Sequence, residues 1–348
     1  MLYLLLLFKK RAKGWELPEF TAESKILFIR LNRIGDALVS TPLLRLIKEK
    51  IGCKIYVLTS PSNYFIFNNN ITDEIIIFNK NARKISLLVK TLNEMQFDAV
   101  VDLHDDISTT VSYLIGMLKC KFKFGLKKGT EKLYSHTIEK IDPSKYHIVD
   151  RTMQFAMFFG LDYDSRFTNI VYSPTHDAID KAEIFLDRHF KKNNYLVGIN
   201  ISAGNDARFW GIENYRKLLS SVLNYEFNVV ILCVEKDLSR AMNIAKDLVP
   251  IYYNPVFDEF AAMVKQLNFL ITPDTSIIHI ASAFEIPVLG LYVKYRTNDM
   301  IWSPYKSDFE CVVTENHSLE SIKFETVNDI LIPFIEKSFY EYSTKNNR

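Results

Sequence analysis

The chain has 348 residues, 48% of them apolar and 24% charged, with a net charge of +2 at neutral pH. That length accommodates two domains of ordinary size, and that composition excludes a disordered protein. The near-neutral balance argues against bulk electrostatic binding of nucleic acid. Four scattered cysteines without a C-x-x-C pair (Cys53, Cys120, Cys233, Cys311) argue against a disulfide frame or zinc site and read as reduced thiols of a cytosolic protein.

The first 24 residues form a leader. Leu2–Phe8 is apolar and Lys9–Lys13 is basic. Seven apolar residues are too few to cross about 30 Å of hydrocarbon, and the order is the reverse of a secretory signal. The composition suits either a foot on the membrane surface or a packed leader segment.

Apolar runs then alternate with amphipathic stretches almost to the end, the pattern of an α/β protein. Strands are expected at Lys25–Leu31, Lys54–Thr59, Glu74–Phe78, Asp98–Leu103 and Lys121–Gly125. Helices fall at Ala37–Lys50, Lys84–Glu94, Ile107–Leu118 and Ile148–Phe159. Gly160–Thr175 is polar and aperiodic and reads as a linker. Beyond it come strands at Tyr195–Ser202, Asn228–Val234, 268–272 and Pro287–Tyr292. The helices between them are Asp177–Phe190, Ile212–Asn224, Leu238–Leu248, Phe257–Lys265 and Ile277–Phe284. A last helix, about Leu319–Tyr342, follows a sheet already complete and is expected to pack back across the domain interface. The domains are therefore 25–170 and 171–318, with 319–348 as a crossover segment.

Two strand-to-helix junctions carry most of the chemistry. In Pro273-Asp274-Thr275-Ser276-Ile277-Ile278-His279 an apolar strand ends in polar caps at a helix start, where unpaired N–H groups and the helix dipole favour phosphate. In Arg33-Ile34-Gly35-Asp36, Gly35 permits a tight turn or a close substrate approach, and Asp36 stands at the strand's C-terminal edge. Asp36 reads equally as a base for an attacking hydroxyl and as a helix N-cap.

Other candidates come in pairs of readings. Ser202-Ala203-Gly204 is a small-residue loop that lets backbone N–H groups approach a phosphate, and Arg208 follows as a bidentate phosphate ligand or a solvated loop arginine. Trp210 reads as a hydrophobic plug. Glu235 after its strand is a ribose acceptor or a helix-start charge. His279 is a ligand contact or a packed histidine. His104-Asp105-Asp106 lacks the second acidic cluster a hard metal needs, and reads as a surface turn or an acceptor-side contact.

With these motifs in order, the chain resembles glycosyltransferase family 9, the ADP-heptose:lipopolysaccharide heptosyltransferases, from about Lys25 onward. The resemblance rests on Arg33-x-Gly35-Asp36 running into Ala37–Pro42, on Ser202–Trp210, and on Pro273–His279 continuing to Pro287. It implies a GT-B fold, two Rossmann-like domains with an interdomain cleft, and no essential metal or cofactor beyond a nucleotide-sugar donor. It further implies Asp36 as the base, Arg208 on the leaving diphosphate, and Asp274, Thr275, Ser276 and His279 in the donor loop. Ser202 and Gly204 would belong to the donor side, and Glu235 would sit near the ribose. Arg33, Gly35 and His104 would face the acceptor, and Arg83-Lys84, Lys127-Lys128 and Lys132 read either as basic contacts to an anionic glycan there or as plain surface residues. Ser276 stands where many members have Gly.

The implied reaction is inverting transfer of heptose from ADP-heptose to a lipopolysaccharide-type glycan, in the cytoplasm or at the inner face of its membrane, with no nucleic-acid partner. A GT-B epimerase or hydrolase, and a non-catalytic sugar-nucleotide-binding module, are the alternatives.

Overall fold

The structure is a computed structural model that describes residues 16–346 except 69, 80, 82, 83, 192 and 193. The leader segment before Glu16 and the candidate Arg83 lie outside the described residues. The chain divides into two compact units between Tyr172 and Ser173, inside the expected linker.

The first unit holds six strands: β1 (Lys25–Arg30), β2 (Lys54–Thr59), β3 (Glu74–Ile77), β4 (Ala99–Asp102), β5 (Phe122–Leu126) and β6 (His136–Ile138). They are all parallel, in the order β3-β2-β1-β4-β5-β6. The second unit holds β7 (Leu196–Asn200), β8 (Asn228–Cys233), β9 (Ile251–Tyr253), β10 (Phe269–Pro273), β11 (Val288–Val293) and β12 (Phe309–Thr314). These too are parallel, in the order β12-β11-β10-β7-β8-β9. Numbered within its own unit, the second sheet reads 6-5-4-1-2-3, the first sheet's 3-2-1-4-5-6 seen from the other edge.

Each unit is thus a doubly wound Rossmann-like sheet. Its strand order reverses between β1 and β4 in the first unit and between β7 and β10 in the second. Ligands of such sheets bind beyond the carboxyl ends of the strands at that reversal. Parallel strands covered on both faces need continuous apolar runs, and β7 and β10 are buried along their whole length. β6, β9 and β12 were not expected. The first two are three residues long, and β12 is an edge strand with half its residues exposed.

The expected helix Ala37–Lys50 is two helices, α1 (Ile34–Leu38) and α2 (Thr41–Ile51). Pro42, at the start of α2, has no N–H to continue the α1 ladder. Ser40 Oγ and Thr41 Oγ1 donate instead to the carbonyls of Ala37 and Leu38, at 2.6 and 2.8 Å. Because α1 starts at Ile34, Asp36 lies in its first turn and does not precede it as a cap.

The C-terminal helix is Phe324–Asn346, and it is built into the second unit. Val327, Leu331 and Ile335 are fully buried in one core with Trp210, Tyr215 and Leu219. The helix lies on β12 and on the helix Ile212–Val222. Tyr195 at the entry to β7 donates to Ser338 Oγ at 2.6 Å. Among the described residues no helix is long and apolar enough to cross a membrane.

Candidate active site

In the first unit the chemistry gathers at the reversal between β1 and β4. β1 ends in Arg30, only 1% exposed. A guanidinium in that position must spend its donors on protein acceptors, because burying an unpaired charge is far costlier than burying a paired one. Nε donates to the carbonyl of Asp36 at 2.8 Å, Nη2 to Asp36 Oδ1 at 3.2 Å, and Nη1 to the carbonyl of Leu103. Burial lowers the pKa of Arg30, with Asp36 and Asp102 opposing. The Asp36 side chain is 16% exposed, so it is reachable and held at once.

The other first-unit candidates fall differently. Arg33 is exposed and makes no side-chain cap to α1. Gly35 sits inside α1 and is not among the glycines with positive φ, so of its two readings the tight turn is absent. His104 is 1% exposed and its ring is fully used: Nδ1 lies 2.7 Å from Asp102 Oδ1, and Nε2 accepts the Leu31 N–H at 3.2 Å. Burial pushes its pKa down, although Asp102 pulls the other way. The ring is therefore the neutral Nδ1–H tautomer and holds the main chain after β1. The expected acceptor-side contact is not available to it.

Asp102 is the centre of this cluster. Lys128 Nζ lies 2.8 Å from its Oδ2 and Tyr134 Oη donates to the same oxygen at 2.7 Å. Burial alone would raise the Asp102 pKa. The hydrogen bonds from His104 and Lys128 outweigh it and hold the carboxyl well below the ordinary range. Lys128, expected at the acceptor surface, is spent here; Lys84 and Lys132 are exposed, and Lys127 pairs with Glu139. Tyr134 reaches Asp102 because β5 carries Gly125 beneath its ring. A Cβ there would fall 2.5 Å from the ring carbons. Asp105 and Asp106 pair with Arg151 and Lys140, and no metal-binding cluster occurs among the described residues.

In the second unit the reversal lies between β7 and β10, and there the two expected donor segments come together. Asn200, the last residue of β7, donates to Thr272 Oγ1 on β10 at 2.9 Å. Arg208 Nη1 donates to the Asp274 carbonyl at 2.9 Å and Nη2 lies 3.0 Å from its carboxylate. Beyond Asp274 the short helix α3 (Ile277–Ala283) begins. Thr275 Oγ1 accepts the N–H of Ile277 at 3.2 Å, so Thr275 is the side-chain cap and Ser276 makes none. Among the described residues no acceptor takes the N–H of Thr275 or of Ser276. A guanidinium and two open amides thus cluster at one strand end.

Gly204 is exposed, and a Cβ on it would meet no protein atom within 4 Å. Ser202 is buried, and its hydroxyl donates to Asp237 at 2.8 Å while accepting the Val234 N–H at 3.0 Å. Its side chain braces the loop and is not open to a donor. Glu235 is exposed after β8, where together with burial it raises the pKa of the neighbouring Tyr253. His279 is 3% exposed with its ring 5.9 Å from that of Trp302, a packed position. Trp210 is fully buried, as a plug should be, and donates to the Ile322 carbonyl at 2.8 Å.

Several contributors were missed. Lys236 donates to the Ala203 carbonyl at 2.8 Å. Arg240 spans Asp206 and Asp237 at 3.1 and 3.0 Å while lying over the Phe209 ring. Arg30 carried a legible signal, a charge inside the apolar run Lys25–Leu31. Asp102 and Tyr134 carried none, since only the fold brings them together.

The family model for glycosyltransferase family 9 (heptosyltransferase) matches residues 85–330, which includes the second-unit loops and leaves the Arg33–Asp36 turn outside. The lipopolysaccharide core heptosyltransferase OpsX of Haemophilus influenzae is 22% identical over 304 residues, spanning 84% of this chain and 85% of its own. A glycosyl transferase family 9 structure from Veillonella parvula superposes with a TM-score of 0.79 at 18% identity, covering 94% of this chain and 99% of the other. The E. coli heptosyltransferase WaaC with ADP-2-deoxy-2-fluoro heptose gives 0.69 at 16% identity, covering 88% and 98%. With the two six-stranded parallel sheets, these likenesses identify the fold as GT-B.

Proposed function

The chain belongs to glycosyltransferase family 9, the heptosyltransferase family, and from that premise we propose that it transfers heptose from ADP-heptose to a lipopolysaccharide-type acceptor with inversion and without a metal. The observation that carries the reading is the cluster of Arg208 with the open Thr275 and Ser276 amides at the end of β10. Fixed donors of this kind stabilise charge developing on a leaving diphosphate, the task a divalent ion performs in other transferases. In this reading Asp36 is the base that takes the acceptor proton, and Glu235, exposed after β8, accepts from a ribose hydroxyl. WaaC, seen with a fluorinated ADP-heptose, supports the donor, and OpsX, a lipopolysaccharide core heptosyltransferase, supports the acceptor class.

The proposal sets the enzyme to work at the inner face of the cytoplasmic membrane, where Leu2–Phe8 and Lys9–Lys13 suit an anionic lipid surface. A panel of nucleotide sugars screened by thermal shift tests the donor, because a ligand that binds only the folded state raises the melting temperature. ADP-heptose should give the largest rise, and transfer should survive EDTA and yield the inverted anomer. Donor consumed equally fast without acceptor would favour the hydrolase or epimerase reading instead.

A further inference from the structure

We propose that Arg30 is the positioning residue of Asp36, fixing one carboxylate oxygen so that the other receives the acceptor proton. The proposal rests on Asp36 being the base. Helix α1, which carries Asp36, has only five residues and no side-chain cap at its start. So short a helix has little intrinsic stability, and its first turn needs an outside anchor. Arg30 supplies one at two points, the Asp36 carbonyl and Asp36 Oδ1, and is itself tied to the Leu103 carbonyl that follows β4. A planar fork can hold a backbone and a carboxylate together, whereas a lysine ammonium reaches one of them.

Oδ1 is engaged, and Asp36 Oδ2 has no hydrogen-bond partner among the described residues. In the transfer step the acceptor O–H proton passes to Oδ2 as the acceptor oxygen bonds to the anomeric carbon. The bond from that carbon to the phosphate oxygen breaks, and its electron pair leaves with the diphosphate. As Asp36 becomes neutral, Arg30 keeps a buried countercharge in Asp102, whose field already reaches it. Asp102 is in turn anchored by Lys128 and Tyr134. The arrangement lets Asp36 change charge without stranding a buried cation.

The test is the kinetics of ADP-heptose transfer to a heptose-deficient lipopolysaccharide, with ADP binding followed by calorimetry. Arg30→Lys should lower kcat by about a hundredfold while KM for ADP-heptose and the affinity for ADP stay within about twofold. Arg30→Gln, which removes the buried charge but keeps an amide donor, gives the same reading should the lysine variant fold poorly. In an Asp36→Asn background Arg30→Lys should cause no further loss, because a residue acting only through Asp36 has nothing left to position. Additive losses, or a folded Arg30→Lys with the parent kcat, would overturn the proposal. Full transfer by Asp36→Ala would overturn the base assignment itself. An inactive Asp36→Ala beside a fully active Arg30→Lys would remove only the role of Arg30.

Discussion

Arg208 grips Asp274 at two points, its carbonyl at 2.9 Å and its carboxylate at 3.0 Å. The pair joins the loop after β7 to the end of β10 and fixes the direction of the guanidinium. The Arg208 side chain remains 31% exposed, so under the proposed function it is open to a diphosphate that shares it with that carboxylate. Preorganised donors of this kind contribute to rate because nothing must be reordered during the reaction.

Arg208→Ala should therefore weaken ADP binding by roughly ten- to a hundredfold, the worth of a charge-assisted hydrogen bond. It should lower kcat as well, since leaving-group charge grows in the transition state. Arg208→Lys keeps the charge and loses the fork, and should fall between the two. Calorimetry with ADP and steady-state transfer kinetics measure both effects.

Asp36→Ala should abolish transfer, by about a hundredfold or more for the loss of a general base, with ADP affinity unchanged. Donor binding is a second-unit property in this reading, and Asp36 is a first-unit residue. Parallel measurement of ADP binding and product formation on one purified preparation separates the two.

Acid should destabilise the first unit in two steps. The pKa of His104 is depressed in the fold by burial, so below about 6.5 the unfolded chain binds a proton that the folded chain refuses. Stability then falls as pH falls. Protonation would also place an N–H against the Leu31 N–H that Nε2 now accepts. Asp102 is held far below the carboxylate range, so its contribution is complete above about 4 and is lost on further acidification. Denaturant midpoints from pH 8 down to about pH 2 should show both limbs, and His104→Gln should lack the upper one.

Gly204→Ala should leave the melting temperature unchanged, because the added methyl meets no protein atom within 4 Å. It should weaken ADP binding by about tenfold if a phosphate packs against that loop, a cost typical of overfilling a close contact. Unchanged ADP affinity in this variant would remove Gly204 from the donor site.

Much of the fold was legible because parallel strands buried on both faces must be apolar throughout. The run 54–59 matches β2 residue for residue, and the run 228–234 overshoots β8 only at Val234. β6 and β9 are too short to establish a pattern, and β12, at an edge, reads as a loop. The two loops that meet at the end of β10 were legible from polar residues that follow a strand and precede a helix. His104, Lys128 and Ser202 were misread because a polar side chain near a strand end looks the same whether it faces a ligand or braces a loop. What distinguishes them is burial and partner, and those depend on residues far away in sequence. His104 and Lys128 converge on Asp102, and Ser202 on Asp237. Arg30 is the reverse case: its buried charge within an apolar run required a partner, and the partner is Asp36.

Gly125 ties a packing detail to an electrical one. Its bare Cα lets the Tyr134 ring settle against β5, and only from that depth does the phenol reach Asp102. A single methyl group introduced on this strand would lift the ring, withdraw one of the donors that keep Asp102 ionised, and slacken the network that faces Arg30. The lesion would emerge less as a hole in the core than as a deficit in stability above about pH 4 that narrows in stronger acid, at a position that itself carries no charge.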